Sequence, residues 1–276
     1  MSGSLPPLSL SILGVEPLDE FILEVADFIH HTIMTRPSNE ELGVNESRIE
    51  VEAKVGTLKD KSTNMRLQLP ILVETILTPG FDVRFESNMT IRQHQHYNQQ
   101  LNKLHVTSTQ PGHPSSPVGY AHHYLIDSFY GTDRDGRVRV TRDEKTNEVE
   151  SVRKIKLANL EIYSPKRQAD WRVTVSLECP VQHPVGQAMH TRRKDRLSYK
   201  HEEFSIDLTQ VTANEAGTSN LLHELELEIL RPELIMSLAA KRGDPNVSEM
   251  ERGGFDELIR AFVNNARILV KNAGDP

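Results

Sequence analysis

Apolar and polar residues alternate along eight short segments of the chain, which is the pattern of β-strands with one face on a core. The segments begin near residues 48, 121, 136, 152, 171, 195, 203 and 223. Turn-forming residues such as Ser164 and Pro165 separate several of them. So many short strands in series predict an antiparallel sheet that closes into a barrel or stacks into a sandwich.

Apolar residues at intervals of three and four predict helices at both ends of this strand region and inside it. The first helix is expected over about residues 17–35, and an internal helix should start at Ser87 as its N-cap. A last helix is expected from about residue 254. No shift in composition divides the chain, so the prediction is one α+β domain over residues 1–276. Its strands occupy about 45–230 and its C-terminal helices about 231–272.

Composition limits the classes of ligand. The chain carries 32 basic and 39 acidic residues, a formal charge of −7, and as a whole it would repel a polyanion. An anionic ligand must therefore be bound locally. Its longest apolar runs are far shorter than a membrane span, and we expect an intracellular protein without membrane contact. Cys179 has no partner for an internal disulfide and is expected to be a structural thiol.

The polar faces of the predicted strands segregate acid from base. A merely solvated face usually mixes both signs with uncharged residues. Here two segments far apart in sequence are nearly purely acidic, and the strands between them are mostly basic. The acidic faces carry Glu50 and Glu52 beside Lys54, and then Glu224, Glu226 and Glu228; the basic faces carry Arg137, Arg139, Lys154, Lys156, Arg172, Arg192, Lys194 and Arg196.

This segregation predicts ligands of both signs. Like charges on one face of a strand lie roughly 7 Å apart and repel unless something is held between them. Carboxylates without nearby histidine or cysteine suit Mg²⁺ or Mn²⁺, and arginine and lysine suit phosphate oxygens. If the sheet closes with its charged faces inward, the lumen would hold a metal ion under a polyphosphate.

Two sequence motifs make a family comparison specific. "IEVEAK", with Glu50, Glu52 and Lys54, resembles the N-terminal signature of the triphosphate tunnel metalloenzymes. "HELELEI" near the other end is similar to the acidic strand of one branch, the metal-dependent RNA 5′-triphosphatases of fungal mRNA capping. "LEIYSPK" and "RRKDRLSY" lie between them at family-like positions. The resemblance covers roughly residues 45–235 and implies an eight-stranded antiparallel tunnel resting on helices.

The resemblance also implies roles for individual residues. Glu178 and Glu224 would orient the attacking water or its surroundings, and Lys54 would brace the metal site or pair with a neighbour. Asp207 and Thr209 would support the basic strand, although Ser205 stands where relatives can carry an arginine. The implied metal ligands are Glu50, Glu52, Glu226 and Glu228. The implied triphosphate-binding residues are Arg139, Lys154, Arg192, Lys194 and Arg196. Of these, Arg139, Lys154 and Arg196 are also implied to be catalytic.

The activity implied by the resemblance is removal of the γ-phosphate from a 5′-triphosphate RNA end, using Mg²⁺ or Mn²⁺, in the first step of mRNA capping. Metal-dependent hydrolysis of nucleoside triphosphates is expected as well. The expected partners are a second copy of the chain, an mRNA guanylyltransferase and the phosphorylated C-terminal repeats of RNA polymerase II. The expected location is the nucleus.

Three alternatives stay open at this stage. The same fold could act on inorganic tripolyphosphate or a small triphosphate, which a preference for RNA ends would distinguish. A binding module could capture phosphorylated ligands without turnover, but it leaves the acidic strands unexplained. A lipocalin-like carrier is disfavoured because such barrels have apolar cavities. Arg137, Lys156 and Arg172 fit a phosphate-binding role and a merely solvated face about equally well.

Overall fold

All eight predicted strands are present in the structure, a computed structural model that describes residues 7–17, 19–131, 136–215 and 218–274. Two short strands occur in addition, β2 and β3. The ten strands are β1 (Arg48–Asp60), β2 (Thr75–Ile76), β3 (Val83–Glu86), β4 (Gly119–Tyr130), β5 (Val138–Asp143), β6 (Val149–Tyr163), β7 (Asp170–Pro180), β8 (His190–His201), β9 (Phe204–Glu215) and β10 (Thr218–Ile229).

Eight of these strands close into an antiparallel barrel. Neighbours follow the order β10, β9, β8, β4, β5, β6, β7 and β1, and pairing of β1 with β10 closes the ring. Strands β2 and β3 pair with β6 and β1 outside this path. The sheet is therefore a closed barrel and not a sandwich. Its closure places the two acidic strands, β1 and β10, side by side.

Helices cover the outside of one part of the barrel. The five helices of the described chain are α1 (Glu20–Met34), α2 (Asn39–Leu42), α3 (Ile91–Ser108), α4 (Pro232–Lys241) and α5 (Glu249–Lys271). The outward residues of β7, Trp171, Val173, Val175 and Leu177, are almost completely buried with the apolar sides of α1, α4 and α5. Successive side chains of a strand point to opposite faces. Because the apolar side chains of β7 are buried on the outside of the barrel, its polar side chains point into the lumen. Residue 18, within the predicted first helix, lies outside the described residues.

Two predicted helix starts were wrong. The internal helix begins after Thr90, whose hydroxyl accepts the backbone N–H of Gln93 and completes a capping box. Ser87 instead donates a hydrogen bond to a carboxylate in the barrel. The last helix begins earlier than expected, because Ser248 and Glu251 form a capping box ahead of the apolar stripe. Helix α5 therefore carries two glycines, Gly253 and Gly254, within its second turn.

No helix among the described residues combines the length and apolarity needed to cross a lipid bilayer.

Candidate active site in the barrel lumen

The barrel encloses a charged cavity of about 1050 Å³. Small barrels usually fill their interior with packed side chains, so an open lumen of this size is suited to a ligand. Every residue predicted to bind metal or triphosphate lines it, together with Lys54, Glu178 and Glu224. The residues predicted to bind metal or triphosphate are Glu50, Glu52, Glu226, Glu228, Arg139, Lys154, Arg192, Lys194 and Arg196.

The two acidic strands are direct neighbours, and their register sets carboxylates against each other. Glu52 of β1 lies opposite Glu228 of β10, and Lys54 lies opposite Glu226. Like charges in directly opposed cross-strand positions destabilise a sheet. Sequence alone could not supply this pairing, since the two strands are separated by more than 150 residues and meet only when the barrel closes.

Lys54 partly neutralises this acidic row. Its Nζ atom lies 2.6 Å from Oε1 of Glu226 and 3.6 Å from Oε2 of Glu52. Burial alone would raise the pKa of Glu226, but Lys54 and Arg196 hold that pKa far below its usual range. The pKa of Lys54 is correspondingly raised. Glu226 is therefore ionised at every physiological pH, as a metal ligand must be.

Glu228 is less well compensated than Glu226, although the charge of Arg196 also acts on it. No ion pair or hydrogen bond links its carboxylate to a cation of the described chain, and Glu50, Glu52, Asp207 and Glu226 surround it. Burial and these like charges raise the pKa of Glu228 to about 8. Burial likewise raises the pKa of Glu52. The row of carboxylates carries more negative charge than the protein's own cations offset.

Several cations of the facing basic strands are fixed by an acid. Lys154 of β6 forms ion pairs with Glu50 and, at 3.4 Å, with Glu52. Arg139 of β5 donates a hydrogen bond of 2.8 Å from Nη2 to Oε1 of Glu178. Glu178 therefore positions a predicted phosphate-binding arginine in this structure. Its predicted role toward the attacking water is a separate property that this contact does not test.

Asp127 on β4 is a lumen residue that the sequence analysis missed. It is fully buried, and its Oδ2 lies 2.6 Å from Nζ of Lys194 and 3.4 Å from Nη2 of Arg192. Thr141 donates to its other oxygen at 2.8 Å. Burial raises the pKa of Asp127, but Lys194 outweighs this effect and the net pKa is lowered. The alternation of side chains along β4 could have indicated its position, because Asp127 and Phe129 are two residues apart and share one face of the strand.

Asp207 and Thr209 support Arg196, as the resemblance implied. The Nη1 atom of Arg196 lies 2.9 Å from Oδ2 of Asp207, and its Nε donates to Oγ1 of Thr209 at 3.2 Å. Ser198 and Ser205 donate hydrogen bonds of 2.7 Å and 2.9 Å to Oδ1 of Asp207. The hydroxyl of Ser205 therefore bonds Asp207 at the position where relatives can carry arginine, and the ion pair comes from Arg196.

The three cations left open in the sequence analysis all line the lumen, as does Glu224. Glu224 accepts a hydrogen bond of 3.1 Å from Oγ of Ser87. Arg172 is held by Glu161, whose Oε1 accepts from its Nε at 2.8 Å. Lys156 remains exposed within the lining. Arg137, Lys156 and Arg172 therefore lie on the lumen side of the barrel, and a role for them in phosphate binding stays a prediction.

The chemistry of the acidic row fits a hard divalent cation. Across the described residues, no three His, Cys, Asp or Glu side chains converge into a ready-made metal site. Instead, lysine ammonium groups lie between the carboxylates. Nζ of Lys54 lies between Glu52 and Glu226, and Nζ of Lys154 lies between Glu50 and Glu52. A set of oxygen ligands only, with the charge of Glu228 offset only in part, matches the preferences of Mg²⁺ and Mn²⁺.

Comparisons with known proteins agree with this geometry. The family model described as "mRNA capping enzyme, beta chain" matches residues 15–274. The mRNA-capping enzyme subunit beta of Schizosaccharomyces pombe is 33% identical, over 97% of this chain and 86% of that protein. A polynucleotide 5′-triphosphatase of Saccharomyces cerevisiae is 24% identical, over 82% of this chain and 72% of that protein.

A solved structure shares the whole fold. The structure of the S. pombe Pct1 RNA triphosphatase superposes with a TM-score of 0.84 at 32% identity, covering 98% of this chain and 99% of that one. Pct1 in complex with the Spt5 CTD gives a TM-score of 0.85. Both the sequence motifs and the closed barrel are thus explained by common descent. The chain belongs to the family of mRNA capping enzyme beta chains, the fungal-type RNA triphosphatases of the triphosphate tunnel fold.

Proposed function

We propose that this protein is a metal-dependent RNA 5′-triphosphatase that converts a 5′-triphosphate RNA end to a diphosphate end in the first step of mRNA capping. One observation carries the proposal: the carboxylates of β1 and β10 and the cations of β5, β6 and β8 line a single closed lumen. A cation-binding wall facing a phosphate-binding wall is what hydrolysis of a phosphoanhydride requires.

The residues divide the work by charge. Glu50, Glu52, Glu226 and Glu228 would hold the divalent cation. When bound, the cation supplies Lewis-acid activation of the γ-phosphate and a template for in-line attack. Arg139, Lys154, Arg192, Lys194 and Arg196 bind the phosphate oxygens and offset the charge that develops on them.

Acidic partners fix the direction of the phosphate-binding cations. Asp127 holds Lys194 and Arg192, Glu178 holds Arg139, and Asp207 holds Arg196. Pre-organised cations need no reorganisation as the transition state forms, which is the main source of catalysis by electrostatics. Glu178 and Glu224 would orient the attacking water. No side-chain nucleophile is required.

The alternatives are weaker. Hydrolysis of inorganic tripolyphosphate would use the same lumen, but the relatives are capping subunits and a polynucleotide triphosphatase. A pure binding module leaves the opposed carboxylates of β1 and β10 without a role. An apolar carrier does not fit a cavity lined by charged groups.

The expected partners follow from the relatives. The capping enzyme beta subunits support a guanylyltransferase partner for this chain, and the structure of Pct1 in complex with the Spt5 CTD supports a similar CTD as a further partner. We extend this to the phosphorylated repeats of RNA polymerase II, to a homodimer and to a nuclear location.

The activity is tested by following phosphate release from an RNA labelled at either the γ- or the β-phosphate. Release of γ-label alone with Mg²⁺ or Mn²⁺, abolished by chelator, supports the proposal. Competition by tripolyphosphate at much lower concentration than RNA would favour the small-molecule alternative. Tight binding of RNA ends in chelator without any release would favour the binding module.

A further inference from the structure

We infer that Arg172 and Phe85 form a nucleobase subsite for the first nucleotide of the RNA substrate. The inference rests on the proposed function and adds a specificity element to it. Both side chains line the lumen cavity at the end where β1 leaves the barrel. The guanidinium of Arg172 is paired with an acid and lies over the Phe85 ring, and both side chains adjoin the predicted phosphate-binding groups.

One carboxylate holds Arg172 in place through three hydrogen bonds. Arg172 lies directly opposite Glu161 in the pairing of β6 with β7. Its Nε donates to both oxygens of Glu161 at 2.8 and 3.0 Å, and its Nη2 donates to Oε1 at 2.5 Å. A guanidinium held in this way has a fixed plane, and a planar group can stack on its face.

Phe85 supports the guanidinium from one side. The Cζ atom of Arg172 lies 4.7 Å from the centre of the Phe85 ring, within the range of a cation–π contact. The ring packs against a small apolar cluster that includes Leu58 and Tyr163. Phe85 and Leu58 are also opposed in the pairing of β3 with β1. The platform is therefore rigid on its protein side.

Gly56 permits this placement. A Cβ atom at this position would lie 2.7 Å from Cζ of Phe85, closer than real carbon atoms approach, and would also meet the carbonyl of Glu86. Strand β3 reaches its position beside the lumen only because β1 has no side chain at residue 56. A close approach of this kind indicates that the position of the phenyl ring is specified and does not result from loose packing.

The neighbourhood suits a nucleotide. Arg172 lies opposite Lys54 in the pairing of β7 with β1, one step from the acidic row. Exposed Lys156 lines the same cavity, and no ion pair engages it among the described residues. Bases stack on aromatic rings and on arginine planes. The cavity of about 1050 Å³ has room for a nucleoside beside a triphosphate.

The test compares two substrates on three proteins. The substrates are a short 5′-triphosphate RNA and the same RNA with an abasic first nucleotide. The proteins are the parent, Phe85→Leu, and Phe81→Leu as a matched control. Phe81 is 45% exposed and precedes β3 outside the lumen lining. An Arg172→Lys variant, which keeps the ion pair but loses the planar group, guards against misfolding of Phe85→Leu.

The inference predicts that Phe85→Leu and Arg172→Lys each raise KM for the ordinary RNA by roughly 5- to 30-fold, in line with the loss of one stacking contact. KM for the abasic RNA should already be high in the parent and should change less than twofold in both variants. Equal KM values for both RNAs in the parent would overturn the inference, as would equal losses on both substrates. The proposed function fails separately, if the parent releases no γ-phosphate from either RNA.

Discussion

Replacing Glu228 with glutamine should make the metal-free protein more stable at alkaline pH while weakening its response to a divalent cation. In the folded chain the pKa of Glu228 is raised to about 8 by burial and by the carboxylates around it. In the unfolded chain it ionises near 4.5. Between these two pH values the folded state keeps a proton that the unfolded state has lost, so stability falls as the pH rises through this window.

The size of the effect follows from that difference. About 3.5 pH units (8 − 4.5) at roughly 1.4 kcal/mol each set a ceiling of about 5 kcal/mol. Because the side chain keeps partial contact with solvent, screening reduces this, and we expect a gain of about 1–2 kcal/mol for Glu228→Gln above pH 8. Near pH 5 most of the gain should be lost, since this pH is only about 0.5 unit above the pKa of the carboxyl in the unfolded chain (5 − 4.5).

Urea unfolding in chelator at pH 5 and pH 8.5 measures this directly, with Glu16→Gln as an exposed control. Added Mn²⁺ should raise the unfolding midpoint of the parent at pH 8.5. It should raise the midpoint of Glu228→Gln much less, because only the parent has a carboxylate at residue 228 to bind the cation. A variant that is no more stable than the parent at pH 8.5 would refute the idea that the carboxylate row is short of positive charge.

Three further outcomes are expected. Glu226→Gln should lower metal-dependent phosphate release by at least about 100-fold. It should also destabilise the fold by roughly 2–4 kcal/mol, because Lys54 loses its main partner, so that both the activity and the urea midpoint must be measured. Asp127→Asn should raise KM for RNA ends, since Lys194 loses the acid that positions it, and binding measured by fluorescence anisotropy in chelator should weaken in parallel. Arg66→Ala should cost roughly 3 kcal/mol in urea unfolding, because the buried carboxylate at the start of β7 loses its cation, yet kcat should be unchanged in the molecules that remain folded.

The strands and the direction of their side chains were predictable because period-two alternation is a local property. Glu50 and Glu226 face the lumen for the same reason that Val51 and Leu225 face the core. The barrel itself needed the resemblance, since alternation is equally compatible with a sandwich.

The partners of each charge were not predictable from alternation. Asp127 stands alone among aromatic, apolar and histidine neighbours on β4, and its importance appears only when β5 and β8 bring Thr141 and Lys194 beside it. Arg172 is equally instructive. Its parity indicated a lumen cation, but its pairing with Glu161 and its contact with Phe85 depend on the register of β6 and on a strand too short to detect. Alternation along one strand shows which residues share a face. Which charged side chains contact each other depends on the register between neighbouring strands.

The central claim is that the carboxylates of β1 and β10 hold the catalytic cation, and anomalous X-ray diffraction from crystals soaked in Mn²⁺ tests it most directly. The account predicts one strong peak in the lumen, within about 2.5 Å of carboxylate oxygens from both strands, drawn from Glu50, Glu52, Glu226 and Glu228. It also predicts that Lys54 moves away from Glu52. A peak bound by histidines outside the barrel, with no peak in the lumen at saturating Mn²⁺, would contradict the account.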